Sequence, residues 1–217
     1  LPLFNWILLL GTSIGGLHLV TFRIVSVLLF FLFGGLVYRA TQSRLGKKTA
    51  LLAGILSLSI ARIQFWSVSQ CLVDSLYASF CFLQLYSLVH FLDKEAPKKA
   101  FWYSYLAMAL GFMTKGLPSL VFQVLGLGIC FFIYPKKRFF QLQHLLAMLG
   151  SFALVALYFG IYQLQHPTAT YWLLHTQFMQ VSEKVNNPGL LPYLLNFLEN
   201  IGQLLSDGLP ALFLLIP

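Results

Sequence analysis

The chain has 217 residues, of which 59% are hydrophobic and 9% charged, with a formal net charge of +8. An ordinary soluble domain carries about 25% charged residues, so this chain cannot cover a globular surface, and its hydrophobicity excludes disorder. Three cysteines in this length exclude a disulfide scaffold, and continuous rather than alternating apolar stretches exclude an outer-membrane β-barrel, which leaves a polytopic α-helical membrane protein.

A bilayer span needs about 20 predominantly apolar residues. Leu3–Leu10 is too short to span, is followed by a glycine-rich stretch ending at Gly16, and reads as an interfacial or re-entrant helix. Val20–Tyr38, Thr49–Trp66 and Leu72–Leu92 read as the first three spans. Ala100–Met113, short enough to need its flanks, and Leu117–Tyr134 follow as a pair divided by Thr114-Lys115-Gly116. Leu142–Gln163 is the sixth span, and Leu204–Pro217 reads as part of a seventh. Between them lies the segment 164–203. Its stretch 169–185 is too polar to span and too apolar for a free loop, so it reads as an amphipathic outer-face helix roofing a cavity, before the turn Asn186-Asn187-Pro188-Gly189. The expected fold is all-α, a transmembrane helical bundle of about six to seven spans plus interfacial helices. Residues 1–217 are expected to form part of one transmembrane domain truncated at both ends, because the chain opens on Leu1 and stops at Pro217 inside an apolar run.

Ten of the fourteen basic residues fall in alternate loops: Arg39, Arg44, Lys47 and Lys48, then Lys94, Lys98 and Lys99, then Lys136, Lys137 and Arg138. By the positive-inside rule these loops are cytoplasmic, and residues 1–19, 67–71, 114–116 and 164–203 face the other side. The charge is thus a topology signal with some attraction to lipid head groups, and requires no nucleic acid.

Charges near membrane depth are expensive and are candidate functional groups. Arg23, Arg62, Asp74 and Lys115 each lie close to the outer end of a span. Snorkelling accounts for Arg62. A short acid cannot snorkel far, and Asp74 ends a polar-edged stretch from Ser67 that could line a cavity. Lys115 stands in a tight turn, where Gly116 lets the backbone approach a ligand and Pro118 can open the next helix. An ammonium beside a helix N-terminus makes an anion site, for which phosphate is the natural ligand; the alternative is a plain exposed hairpin turn. Cys81 and Cys130 fall mid-span as packing residues. No HExxH, Walker A or GxGxxG pattern occurs, so a metal site could arise only through the outer loop.

Four ordered stretches carry a resemblance: Leu1-Pro2-Leu3-Phe4-Asn5-Trp6, Thr21-Phe22-Arg23-Ile24, Gln70-Cys71-Leu72-Val73-Asp74-Ser75 and Gly111-Phe112-Met113-Thr114-Lys115-Gly116. In order, spacing and topology the chain resembles the GT-C class of membrane glycosyltransferases, and more narrowly glycosyltransferase family 39, the aminoarabinose-transferase and protein-mannosyltransferase-like group. The resemblance implies inverting transfer of a sugar from a polyprenyl-phosphate-linked donor to a lipid, protein or glycan acceptor, on the periplasmic face of a bacterial inner membrane. It implies that Lys115 and Arg23 bind the donor phosphate, while Asp74, Thr114 and Gly116 orient these groups or line the cavity. It places the general base upstream of Leu1, so the chain as it stands is expected to be inactive alone. The family's outer-loop metal ligand has counterparts in His175, the nearest histidine, and Gln180, which fits better by spacing back from Pro210; a divalent metal is therefore open. Two other readings share the membrane cavity: a transporter or flippase of a lipid-linked sugar, and a non-catalytic membrane subunit.

Overall fold

The computed structural model describes residues 2–59, 71, 73–167, 171 and 175. The chain divides into two units, Leu1–Val155 and Ala156–Pro217. The described residues form seven α-helices, α1 Pro2–Gly15, α2 Leu19–Leu45, α3 Lys47–Leu58, α4 Asp74–Asp93, α5 Pro97–Lys115, α6 Pro118–Ile133 and α7 Leu142–Gln165, with a 3₁₀ turn at Lys136–Arg138. No strand occurs among them, and the protein is an all-helical membrane bundle. α2, α4 and α7 are long and apolar enough to cross a membrane, while α1 and α6 are shorter apolar helices. The amphipathic stretch 169–185, apart from Tyr171 and His175, and the seventh span lie outside the described residues, as do Arg62 and Gln180.

The direction of each helix follows from its contacts. At one end Arg44 of α2 reaches Asp93 of α4, and at the other Leu29 of α2 packs with Leu76 of α4, so the two run parallel. α5 returns antiparallel to α4, and α6 runs back beside α4, with Tyr134 just past its end donating to Asp93 Oδ1 at 2.5 Å. α5 is the centre of this first unit. It buries ten residues, among them Ala100, Phe101 and Ala109 at zero exposure. A helix surrounded by protein needs less apolar surface than one facing lipid. This is why α5, expected as a span, is not among the helices apolar enough to cross alone.

Between lipid-embedded helices there is no hydrophobic drive like that in water, so close packing through small residues holds the bundle. Gly54 of α3 packs against the Gly34 carbonyl of α2, its Cβ position 3.4 Å from that oxygen. A Cβ on Gly111 of α5 would lie 2.6 Å from Ser119 Oγ of α6. Interhelical hydrogen bonds cross the same interior: Gln84 Nε2 donates to Ser119 Oγ at 2.7 Å, and Ser104 Oγ donates to Gln123 Oε1 at 3.0 Å. At the other end of α5, His144 of α7 stacks on Phe101. Its Nδ1 lies 2.7 Å from the Phe139 carbonyl and must donate there, so Nε2 accepts from the Tyr105 hydroxyl at 2.8 Å.

Several boundaries differ from expectation. α2 continues past Tyr38 through Arg39 and Arg44, so the expected loop 39–48 is mostly helix; long basic side chains can reach the interface while their backbone stays helical. The chain reverses instead at Gly46 alone, whose φ of 84° suits glycine. α1 packs on α2. Gly11 and Gly15 admit Val25 and Thr21 of α2, and Thr21 Oγ1 donates to the Gly15 carbonyl at 3.0 Å. α1, about 21 Å long, therefore folds back along α2.

Of the second unit, the described part is the end of α7 with Tyr171 and His175; along α7, Tyr158 stacks on Tyr162.

Candidate functional site

The α5–α6 junction is tighter than the expected three-residue turn. Thr114 and Lys115 belong to the last turn of α5, and the reversal falls on Gly116 and Leu117. Gly116 has φ 81°, a backbone conformation that favours glycine, and its N–H donates to the Phe112 carbonyl at 2.8 Å. Pro118 opens α6, where its missing N–H costs nothing.

This geometry fixes the environment of Lys115. Its ammonium stands at the C-terminal, negative end of the α5 dipole, which favours a cation. Nζ donates to Asp74 Oδ1 at 2.6 Å, joining the last residue of α5 to the first of α4. Nζ also lies 5.4 Å from the ring centroid of Tyr77, which is buried. Asp74 and Tyr77 are three residues apart and so share a face of α4. The pair is accessible, with side-chain exposures of 44% for Lys115 and 33% for Asp74, so a ligand can reach it.

The hydrogen bonds around the turn define its surroundings. The N-terminus of α6 does not offer free donors: Pro118 has no N–H, Ser119 N donates to the Gly116 carbonyl at 3.1 Å, and Leu120 N to the Leu117 carbonyl at 3.0 Å. The positive charge offered at this corner is therefore that of the Lys115 ammonium. Thr114 faces the interior. It is buried, and its hydroxyl donates to the Gly111 carbonyl at 2.6 Å, back into its own helix.

Arg23 is exposed on α2, two residues before Val25, which packs into the Leu29 and Leu76 cluster at this same end. It forms no ion pair with a described residue, and no contact joins it to Lys115 or Asp74. His175 lies in the second unit beside Tyr171, their rings 5.7 Å apart. Among the described residues no group of three His, Cys, Asp or Glu could hold a metal, and no step below is routed through one. Tyr77 was absent from the expectations. The signal available was its position three residues after Asp74, on the helix face that an acid near membrane depth turns toward its partner.

The ten clustered basic residues gather at the opposite end. Arg44 and Tyr134 both reach Asp93, and Arg138 donates to the Leu92 carbonyl and to Glu95 Oε1, each at 2.7 Å. The loops after α2, α4 and α6 thus meet at one end of the bundle.

An all-helical membrane bundle with its basic loops at one end and the Lys115–Asp74 pair at the other fits a GT-C class membrane glycosyltransferase, and the family comparison agrees. The profile of the family described as dolichyl-phosphate-mannose-protein mannosyltransferase matches residues 2–162, and the chain belongs to this family. Comparison with curated proteins and with solved structures returned no match. The protein is therefore an integral-membrane glycosyltransferase that uses a lipid-linked sugar.

Proposed function

We propose that the donor is a polyprenyl-phosphate sugar, that the transfer inverts the anomeric carbon, and that the reaction takes place at the end of the bundle holding Lys115 and Asp74, facing the periplasm of a bacterial inner membrane. In this reading the acceptor's nucleophilic atom forms a bond to the anomeric carbon as the bond from that carbon to the phosphate oxygen breaks. The electron pair goes to the phosphate, which gains negative charge. Lys115 stabilises that charge, and the apolar surfaces between helices take the isoprenoid tail. Asp74 holds the ammonium at the mouth of the α5–α6 corner until the phosphate competes for it. Arg23 supplies a second positive charge at the same end. The acceptor is a lipid, protein or glycan. Its proton goes to a base that the family resemblance puts upstream of Leu1, so the tests below use the full-length protein.

The observation that carries the reading is the Lys115–Asp74 pair at 2.6 Å, held at a helix junction at the end away from the basic loops. The concentration of ten of the fourteen basic residues at the other end supports the outward orientation.

The test is transfer by the full-length protein in lipid vesicles supplied with a radiolabelled polyprenyl-phosphate sugar. A charge-assisted contact contributes about 1.5–3 kcal/mol, so Lys115→Met, which keeps length and removes charge, should slow transfer roughly 10- to 100-fold while the bundle stays folded. Lys115→Arg should retain partial activity, because the charge persists in a different geometry. Wild-type transfer by Lys115→Met at limiting donor would remove the phosphate role. Donor that is bound and moved between leaflets but never consumed would favour the flippase reading.

A further inference from the structure

The bundle holds a second feature that the transfer reaction does not use. Between the parallel helices α2 and α4, toward the basic end, lies an open groove of about 390 Å³. Its α4 wall is Phe82, Leu85, Tyr86 and Val89, spaced i, i+3, i+4 and i+7 and so on one face of the helix. Its α2 wall includes Thr41, a smaller residue facing these larger ones, and this leaves the space between the helices open. The volume falls within the roughly 300–1,000 Å³ common for small-molecule sites, and the lining is almost wholly hydrocarbon.

The groove has one charged end. Arg44 lines it and is exposed, and its Nη2 is tied to Asp93 Oδ2 at 2.6 Å. A guanidinium carries five N–H donors, so this anchor fixes the group in place while leaving others available. Past the Gly46 hinge, three and four residues along the chain from Arg44, Lys47 and Lys48 are exposed. An alkyl-lined slot between apolar helices, closed by a fixed arginine with two exposed lysines within four residues of it in the chain, complements a molecule with a long chain and an anionic head. We infer that this groove binds an anionic phospholipid of the leaflet at the basic end, with one acyl chain along the α4 face and the phosphate on Arg44, Lys47 and Lys48. A zwitterionic lipid fits the slot but not the charge. A helix from a second copy would have to bury these three cations against itself.

The experiment is native mass spectrometry of the purified full-length protein with phosphatidylglycerol and phosphatidylcholine of identical acyl chains in competition. Wild type is expected to retain phosphatidylglycerol by roughly tenfold over phosphatidylcholine, as a few lysine and arginine contacts to a phosphate would give. Thr41→Phe fills the slot without touching charge and should abolish the preference. Lys47→Gln with Lys48→Gln should reduce it several-fold. Helical content by circular dichroism checks that each variant folds, and Leu85→Trp is the second way to block the slot should Thr41→Phe unfold. Equal retention of both lipids by wild type, or a preference undiminished when the slot is filled, would overturn the proposal. Displacement of phosphatidylglycerol by polyprenyl phosphate at equal concentration would overturn it too, and would assign the groove to the donor's tail instead. None of these outcomes depends on the role of Lys115.

Discussion

The two ends of the bundle treat charge differently. At the basic end each acid has company: Asp93 receives both Arg44 and Tyr134, and Arg138 divides its donors between Glu95 and the Leu92 carbonyl. Three loops are tied together there by contacts that overlap, so losing one leaves the others. At the opposite end Lys115 meets Asp74 at the junction of two helices, with the Tyr77 ring alongside. Overlapping contacts suit an architectural job, since no single partner is free to leave. The Lys115 ammonium is accessible and, among the described residues, is held by one carboxylate; this suits exchange, because an incoming anion needs to displace only that carboxylate from it.

The largest effect should come from breaking the interior that connects the ends. Gly111→Val would push a side chain into Ser119 Oγ, 2.6 Å from the Cβ position, with Gln84 close behind. Overpacking of this kind costs about 1–3 kcal/mol, and the variant should lower the thermal midpoint of the detergent-solubilised protein and impair transfer together. Asp74→Asn sharpens the contrast. Both side chains are a third or more exposed, so the pair contributes only about 0–1 kcal/mol to stability. Transfer should nevertheless fall several-fold, up to about tenfold, because Lys115 loses its aim. Equal and small losses in both measurements would make the pair an ordinary surface contact. Arg138→Gln is the counterpart at the basic end. It gives up hydrogen bonds to a carbonyl and a carboxylate, and about 1 kcal/mol of stability should go while transfer is unchanged. The smallest effect is expected for Gln84→Met. It removes a membrane-interior hydrogen bond of about 0.6 kcal/mol and leaves Ser119 still donating to the Met108 carbonyl.

Much of this arrangement was legible in the sequence, for reasons that can be named. Length and hydropathy located the helices, because a span must be long and apolar whatever it packs against. The clustering of basic residues marked one end, because that bias is set by charge alone. Lys115 and Asp74 stood out separately as charges at membrane depth, and the structure joins them across 41 positions in the chain. What sequence could not show depended on hydrogen bonds and on neighbours. The free helix terminus expected after Gly116 is taken up by bonds within the turn, which follow from the particular φ of that glycine and not from its presence. Thr114 reads as a donor in any sequence, but in the last turn of α5 its hydroxyl satisfies a carbonyl one turn back. The short apolar run of α5 reads as one more span, and its place at the centre of the first unit shows only once the helices packed around it are in view. Small residues such as Gly34, Gly54 and Gly111 look like punctuation until the helix that each admits is in view.

The central claim is that the Lys115 ammonium receives the donor's phosphate, and it is tested most directly by binding, without turnover. The affinity of the full-length protein for polyprenyl phosphate, measured in lipid nanodiscs for wild type, Lys115→Met and Arg138→Gln, separates the two ends of the bundle. A charge-assisted contact of about 1.5–3 kcal/mol predicts a Kd weaker by roughly 10- to 100-fold for Lys115→Met, and an unchanged Kd for Arg138→Gln. An unchanged Kd for Lys115→Met in a folded protein would contradict the account.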